Sequence, residues 1–168
     1  MKERGKLGLI VFQFPPWFRY SKKSLEEILK TRELMSGFDM AVEFRHGSWL
    51  LEKNRKDLFS ILSREGITYV TADEPQYGTL DTIPYIPEAT TETAYIRLHG
   101  RNRENWLKRG IATSLRYDYL YSEKELRELL PSIRRLAEKT RKTFVMFNNC
   151  HGASAVKNAL QMMELLNQ

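Results

Sequence analysis

Short apolar runs recur along the chain, each rich in Val, Ile, Phe or Tyr and nearly continuous in apolarity. They occupy Leu7–Phe14, Asp39–Phe44, Ile67–Ala72, Thr93–Leu98 and Thr143–Phe147. This pattern is typical of parallel β-strands that are buried on both faces. The first four runs start at residues 7, 39, 67 and 93. These spacings are close to the roughly 30 residues of a βαβ unit.

Segments with helical periodicity separate most of these runs. Helices are predicted over Ser24–Met35, Asn54–Glu65, Ser122–Lys139 and residues 153–166. The third opens with a capping box formed by Ser122 and Glu125, and Pro131 inside it predicts a kink or a break. In the last helix the predicted apolar stripe consists of Val156, Leu160 and Met163.

Two segments lack any periodicity and predict long loops, residues 74–92 and residues 99–121. Strict alternation of strands and helices elsewhere predicts an α/β fold, with a parallel sheet and helices outside it. Five strands fit either an open doubly wound sheet or part of an eight-stranded (β/α) barrel. No G-x-G-x-x-G motif follows a strand, which weakens the dinucleotide-binding alternative.

Length and composition narrow the class of protein. The 168 residues suit one domain or part of a larger one, and the single cysteine, Cys150, rules out an intrachain disulfide and a closed Cys/His zinc site. No apolar run approaches the ~20 residues of a membrane span. Leu7–Phe14 contains Gln13 and has no cleavage signal after it, so it predicts a strand of a cytoplasmic protein. The net charge of +6 permits an anionic partner without requiring one.

Polar side chains follow every predicted strand. They are Gln13; Glu43, Arg45 and His46; Thr71 and Asp73; Arg97 and His99; and Asn148 and Asn149. Because the carboxyl ends of parallel strands meet at one edge, where α/β folds place their sites, these side chains are expected to converge. Side chains two residues apart share a strand face, as do Glu43 with Arg45, Thr71 with Asp73, and Arg97 with His99.

These residue types favour acid–base catalysis and anion recognition. Glu43 and Asp73 are the candidate acid and base, and His99, expected to titrate near neutrality, is the candidate proton shuttle. Candidate substrate-binding residues are arginines that clamp an anion and amides that orient it: Arg45, Arg97, Arg101, Gln13, Asn148 and Asn149. A divalent metal on Glu43, Asp73, His46 and His99 is chemically plausible, but no spacing signature indicates one.

Each of these assignments has a structural alternative. Glu43 and Arg45 also fit an internal ion pair that satisfies a polar barrel mouth. Asp73 precedes a loop and fits a turn residue, and His46, before Gly47, fits a local hydrogen-bonding residue. Asn148 and Asn149 fit turn and helix-cap chemistry as well as they fit a site.

The second loop carries its own pattern of basic and aromatic residues. Basic side chains surround Trp106, and aromatic ones follow at every second position: Arg101, Arg103, Lys108 and Arg109, then Tyr117, Tyr119 and Tyr121. Such interleaving suits a groove that follows phosphates and stacks bases. A solvated loop whose tyrosines pack on the rim of the fold explains the pattern equally well.

Several motifs, in order along nearly the whole chain, resemble the domain of unknown function 72 family, also called YecE-like. They are Phe12-Gln13-Phe14-Pro15-Pro16, Val42-Glu43-Phe44-Arg45-His46 with Ser48-Trp49, Asp73, Tyr95-Ile96-Arg97-Leu98-His99-Gly100-Arg101, Tyr117-Asp118-Tyr119-Leu120-Tyr121 with Glu123, and Phe147-Asn148-Asn149 with Asn158-Ala159. The resemblance implies a TIM-type (β/α) barrel, of which residues 7–168 hold strands four to eight. It also implies that the first three βα units are absent, as in a truncated or split gene product.

Two classes of function follow for this partial barrel domain, residues 1–168. The first is an enzyme that binds a nucleic acid or a sugar phosphate at the barrel mouth and uses acid–base or metal-assisted hydrolytic chemistry. The second is a nucleic-acid-binding module without chemistry. A third possibility is an inactive fragment whose open sheet edges pair with an N-terminal partner chain or with a second copy.

Overall fold

The computed structural model describes residues 7–168, which form an α/β fold built on one parallel sheet. Its strands are β1 (Ile10–Gln13), β2 (Met40–Glu43), β3 (Ile67–Asp73), β4 (Thr93–Leu98) and β5 (Lys142–Phe147). The strands lie in the order β1-β2-β3-β4-β5, and every neighbouring pair is parallel. The predicted five-stranded parallel sheet is confirmed. β1 and β5 do not pair with each other, so the described sheet is open.

Five α-helices accompany the described strands; four match the predicted helical segments closely, whereas the short helix Thr113–Arg116 lies in the predicted loop of residues 99–121. They are α1 (Lys22–Leu34), α2 (Glu52–Arg64), α3 (Thr113–Arg116), α4 (Glu123–Lys139) and α5 (Ser154–Leu166). The capping box is present at the start of α4, but the helix continues through Pro131, so the predicted break is wrong. Leucines on both sides of Pro131 are buried, and this packing offsets the lost hydrogen bond. No helix within residues 7–168 is long and apolar enough to cross a bilayer.

The helices cover the outer face of the sheet in two apolar clusters. Strands β2 and β3 pack against α1 and α2 through residues such as Phe44, Tyr69 and Leu58. Strand β4 packs against α4 and α5 through residues such as Leu98 and Leu129. Within each strand, the side chains that alternate with these outward-facing ones therefore point to the inner face of the sheet.

The sheet is strongly curved toward its inner face. Arg97 on β4 donates from Nη1 to Oε1 of Gln13 on β1, at 3.1 Å. On a flat sheet these strands would lie roughly 14 Å apart, three spacings of about 4.8 Å. Farther down, a Cβ atom placed on Gly8, just before β1, would lie 3.6 Å from the ring of Phe144 on β5. Curvature thus brings the first and last strands to one inner cavity.

The orientation of α5 differs from the prediction. The predicted stripe points to solvent, with Val156 62%, Leu160 57% and Met163 60% exposed. The buried face instead carries Ser154, Asn158, Met162 and Leu165. Asn158 is fully buried because its amide accepts from the Tyr121 N–H and donates to the Tyr121 carbonyl. Because a polar residue lies at the centre of the buried face, the apolar periodicity of the sequence does not reveal that face.

Adjacent methionines on α5 test this orientation. Met162 is 2% exposed and Met163 is 60% exposed. We expect Met162→Ala to lower the free energy of unfolding by roughly 2–5 kcal/mol because it opens a cavity. The matched control Met163→Ala should change it by less than about 0.5 kcal/mol. Urea denaturation measures both, and equal losses in the two variants would contradict the orientation.

Candidate functional site

The carboxylate of Glu43, the last residue of β2, is the centre of the inner face. It is fully buried, and its Oε1 lies 3.0 Å from Nε2 of His99. Its Oε2 accepts a hydrogen bond from Nη1 of Arg97 at 2.5 Å. Nε of Arg45 lies 2.7 Å from Oε1, but its N–H does not point at the oxygen, so this contact is an ion pair only. Side chains at the ends of β2 and β4 thus meet at one carboxylate.

Glu43 is ionised at physiological pH. Burial opposes ionisation, but the hydrogen bond from His99 and the charges of Arg45 and Arg97 outweigh it and lower the pKa of Glu43 to about 2. Both of its oxygens are engaged by these partners. This geometry favours the internal ion pair over a group that exchanges protons, and the catalytic assignment of Glu43 stays a prediction.

The guanidinium of Arg45 connects three strand ends. Its Nη1 donates to Oε2 of Glu74 at 3.0 Å, and its Nη2 donates to Oε1 of Gln13 at 3.2 Å. Its third nitrogen faces Glu43, and its carbon lies 5.7 Å from the centre of the Trp106 ring. Arg45 is expected from the sequence to clamp a substrate anion; two of its nitrogens already donate to protein acceptors, and the anion-binding assignment stays a prediction.

Glu74, directly after β3, is a member of this cluster that the sequence reasoning missed. It is 1% exposed, and its Oε1 accepts a hydrogen bond from the backbone N–H of Ile83 at 2.8 Å. Burial is the main cause that raises the pKa of Glu74, to about 7, against the opposing charge of Arg45. Every residue of β3 is buried, so no alternation in the sequence showed whether Asp73 or Glu74 faces inward.

His99 is held as a neutral ring between two partners. Nδ2 of Asn148 lies 3.0 Å from Nδ1 of His99. An amide nitrogen only donates, so Nδ1 accepts and the ring proton sits on Nε2, which donates to Glu43. Burial lowers the pKa of His99 to about 4, although the hydrogen bond to Glu43 opposes this shift. This pKa lies below the near-neutral value expected from the sequence, and the assignment of His99 as proton shuttle stays a prediction.

Asp73 belongs to a second cluster on the outer face. It pairs in register with Leu98, which packs against α4. Its carboxylate accepts from Nε and Nη2 of Arg101, both at 2.9 Å, and from the Tyr121 hydroxyl at 2.7 Å. The expected meeting of Asp73 with Glu43 in one cavity is therefore wrong, because residues 73 and 74 point to opposite faces. Arg101, expected to clamp an anion, is paired with Asp73 instead.

Gly100 and Asn149 hold the loop of residues 99–121 at its two ends. The Gly100 N–H donates to the Tyr121 hydroxyl at 2.8 Å. Its φ of +92° and a Cβ position only 2.6 Å from Tyr119 Cβ require glycine. Asn149 is fully buried and donates to the Tyr119 carbonyl at 2.8 Å. The contacts of Asn149 fit its structural alternative, and its assignment to substrate binding stays a prediction.

This loop, which we call the covering loop (residues 99–121), encloses a cavity of about 560 Å³ above the inner cluster. The wall consists of Gln13, Pro16, Arg45, Glu74, Asp81, Trp106, Leu107, Arg109, Arg116 and Tyr117. Trp106 packs edge-on against Tyr117, with ring centres 5.5 Å apart, and both rings lie near His99. Of the predicted site residues, Gln13 and Arg45 line this cavity.

Two arginines of the covering loop lie in the cavity wall. Arg109 is exposed and makes no hydrogen bond or ion pair within residues 7–168. Arg116 donates from Nη2 to the Lys108 carbonyl at 2.9 Å, while its Nε is buried without a hydrogen-bond partner in the same range. Both arginines line the same cavity as the carboxyls of Glu74 and Asp81. The cavity can therefore accept an anion.

The residues considered for a metal do not form one ligand set. Glu43 is engaged by cations, Asp73 lies on the other face, and Nδ1 of His46 pairs with the Ser48 hydroxyl at 2.8 Å. Over residues 7–168, no three His, Cys, Asp or Glu side chains are grouped as metal ligands.

The chain resembles known proteins over its full length. The family model described as "Protein of unknown function DUF72" matches residues 1–168. The UPF0759 protein YunF of Bacillus subtilis (strain 168) is 34% identical over an alignment of 166 residues that covers 96% of this chain and 58% of that protein.

Solved structures of two family members are also similar. A DUF72 family protein from Thermotoga maritima MSB8 has 40% identity and a TM-score of 0.89, covering 99% of this chain and 60% of that one. One from Enterococcus faecalis V583 has 29% identity and a TM-score of 0.92, covering 99% and 61%. This chain therefore spans about three fifths of the length of the relatives it matches.

Nitrogen-15 NMR tests the state of His99. We expect a neutral ring with its proton on Nε2 from pH 8 down to pH 5, because burial lowers the pKa of His99 to about 4. In Asn148→Asp an acceptor replaces the donor at Nδ1, so the pKa of His99 should rise. A cationic ring in the unsubstituted protein at pH 6 would contradict the arrangement.

Proposed function

This chain belongs to the DUF72 family, and we propose that it binds a small phosphorylated ligand in the cavity beneath its covering loop. One observation carries the proposal: Arg109 and Arg116 line a cavity of about 560 Å³, and Arg109 makes no hydrogen bond or ion pair within residues 7–168. That volume falls in the range of small-molecule sites. Guanidinium groups bind phosphate with two parallel hydrogen bonds, and a partly enclosed wall strengthens such contacts.

The charges around the cavity support an anionic ligand. Arg45 and Arg97 are balanced by Glu43 and Glu74. The remaining charged wall residues are Arg109 and Arg116, opposed by Asp81 alone. Apolar atoms of Pro16, Leu107 and Trp106 lie in the same wall and suit the carbon face of a sugar. A sugar phosphate matches both properties.

The aromatic residues of the covering loop favour this small ligand over a nucleic acid. Tyr121 is 1% exposed and Trp106 is 9% exposed, so neither presents a ring face to solvent. Tyr119 is held by a hydrogen bond from its hydroxyl to Glu125. Stacking platforms for single-stranded nucleic acids need accessible rings in succession.

Within this site we assign the acid–base role to Glu74. It lies in the cavity wall, and its pKa of about 7 allows it to give or take a proton at physiological pH. Glu43 and His99 are then positioning residues, because they hold Arg45, Arg97 and each other. Hydrolysis of the bound ester, with Glu74 as acid or base, is the reaction that this arrangement suits.

We also propose that the sheet is an arc of a (β/α) barrel. Sequential strand order without reversal and the curvature that joins Gln13 to Arg97 support a barrel. Relatives are longer than this chain, and further βα units in a full barrel would cover the open edges of β1 and β5 and the exposed stripe of α5. Pairing of those edges with a complementing chain or a second copy would have the same effect.

Isothermal titration calorimetry tests the proposed ligand class. We expect glucose 6-phosphate and inorganic phosphate to bind while glucose does not. Arg116→Ala should weaken binding roughly tenfold or more, because it removes a charge-assisted hydrogen bond. The control Arg127→Ala lies on α4, where Arg127 pairs with Glu123, and should bind as the unsubstituted protein does.

Two results would contradict the proposal. One is equal binding by Arg116→Ala and the unsubstituted protein. The other is no binding of phosphates together with binding of an RNA oligomer that weakens steeply with salt, which would indicate a nucleic-acid-binding protein instead.

A further inference from the structure

We infer that the carboxylate of Glu74 binds Arg45 at the position that the ligand's anionic group would take. When an anion binds in the cavity, Glu74 therefore takes up a proton. The inference rests on the proposed function and specifies how the same site is regulated. It predicts that the site binds anions more tightly as the pH falls through neutrality.

The geometry joins one guanidinium nitrogen of Arg45 to the carboxylate of Glu74 at the cavity wall. Nη1 of Arg45 donates to Oε2 of Glu74 at 3.0 Å, and both residues line the cavity. Because Arg45 lines the cavity, an anion bound there would compete with Glu74 for this nitrogen. With Glu74 ionised, two negative groups would then share one donor at close range, which costs free energy in a buried site.

A proton on Oε2 of Glu74 removes this conflict without disturbing the loop behind it. Oε1 of Glu74 accepts the Ile83 N–H at 2.8 Å, and a protonated carboxyl keeps that acceptor. The new Oε2–H becomes a donor that can bind the anion directly. Nη1 of Arg45 is released to the same anion, so the wall gains two donors at the cost of one internal ion pair.

The surroundings of Glu74 place it near this transition. Burial raises the pKa of Glu74 to about 7, and an anion beside it would raise the pKa further. The charged and titratable groups that face it come from β2, β3, the loop after β3 and the covering loop: Arg45, Glu43, Tyr69, Tyr77, Asp81, Arg109, Arg116 and Tyr117. Among the carboxyls of that set, Glu43 is held ionised by its cations and Asp81 is exposed.

Calorimetry with inorganic sulfate tests the inference, because sulfate stays a dianion across the pH range used. Titrations at pH 8 in buffers of different ionisation enthalpy count the protons taken up. We expect about one proton per sulfate at pH 8, close to none at pH 6, and roughly tenfold tighter binding at pH 6.

Glu74→Gln imitates the protonated carboxyl, since its amide keeps an acceptor for Ile83 and adds a donor. We expect this variant to bind sulfate at pH 8 as tightly as the unsubstituted protein does at pH 6, with no proton uptake. Glu88→Gln is the matched control in the same loop, outside the cavity wall, and should keep the uptake.

The possible results separate the two proposals. Sulfate binding without proton uptake, or with uptake that persists in Glu74→Gln, overturns this inference and leaves the proposed function standing. No sulfate binding at pH 6 overturns both. If Glu74→Gln does not fold, the proton uptake measured on the unsubstituted protein still tests the inference.

Discussion

The buried carboxylate of Glu43 is the constraint on which the inner face of this protein depends. An ionised group without solvent costs several kcal/mol unless cations and hydrogen-bond donors surround it. Arg45 and Arg97 supply the cations, and His99 supplies a donor that Asn148 fixes on the correct nitrogen. Satisfying this one charge therefore connects side chains from β2, β4 and the end of β5, and through Gln13 also β1.

Two consecutive carboxylates at the end of β3 attach the loops to the sheet. Glu74 points inward, where it joins Arg45 and holds the following loop at Ile83. Asp73 points outward and holds the covering loop through Arg101 and Tyr121. Because neighbouring residues of a strand face opposite sides, a single dipeptide anchors both loops that enclose the cavity. The walls of the cavity are thereby tied to the sheet beneath it.

Sequence patterns were sufficient for the sheet, because each strand is a short apolar run, although β2 and β3 are fully buried and the edge strands β1 and β5 are not. These patterns gave wrong predictions where a buried residue is polar or an exposed residue is apolar. Asn158 lies on the buried face of α5, so the apolar residues beside it suggested the wrong face. The uniformly buried β3 concealed the inward direction of Glu74, and the depressed pKa of His99 follows from neighbours distant in sequence. Residue types at the strand ends thus indicated where a site lies but not which groups share it.

The most direct test of the ligand site is the indole N–H signal of Trp106 in a two-dimensional NMR titration with glucose 6-phosphate. Trp106 lies in the cavity wall beside Arg45, whereas Trp49 is buried in the outer core, where it donates to the Phe18 carbonyl at 2.7 Å. The account predicts a saturable shift of the Trp106 signal while the Trp49 signal stays in place. An unchanged Trp106 signal at saturating ligand would contradict it.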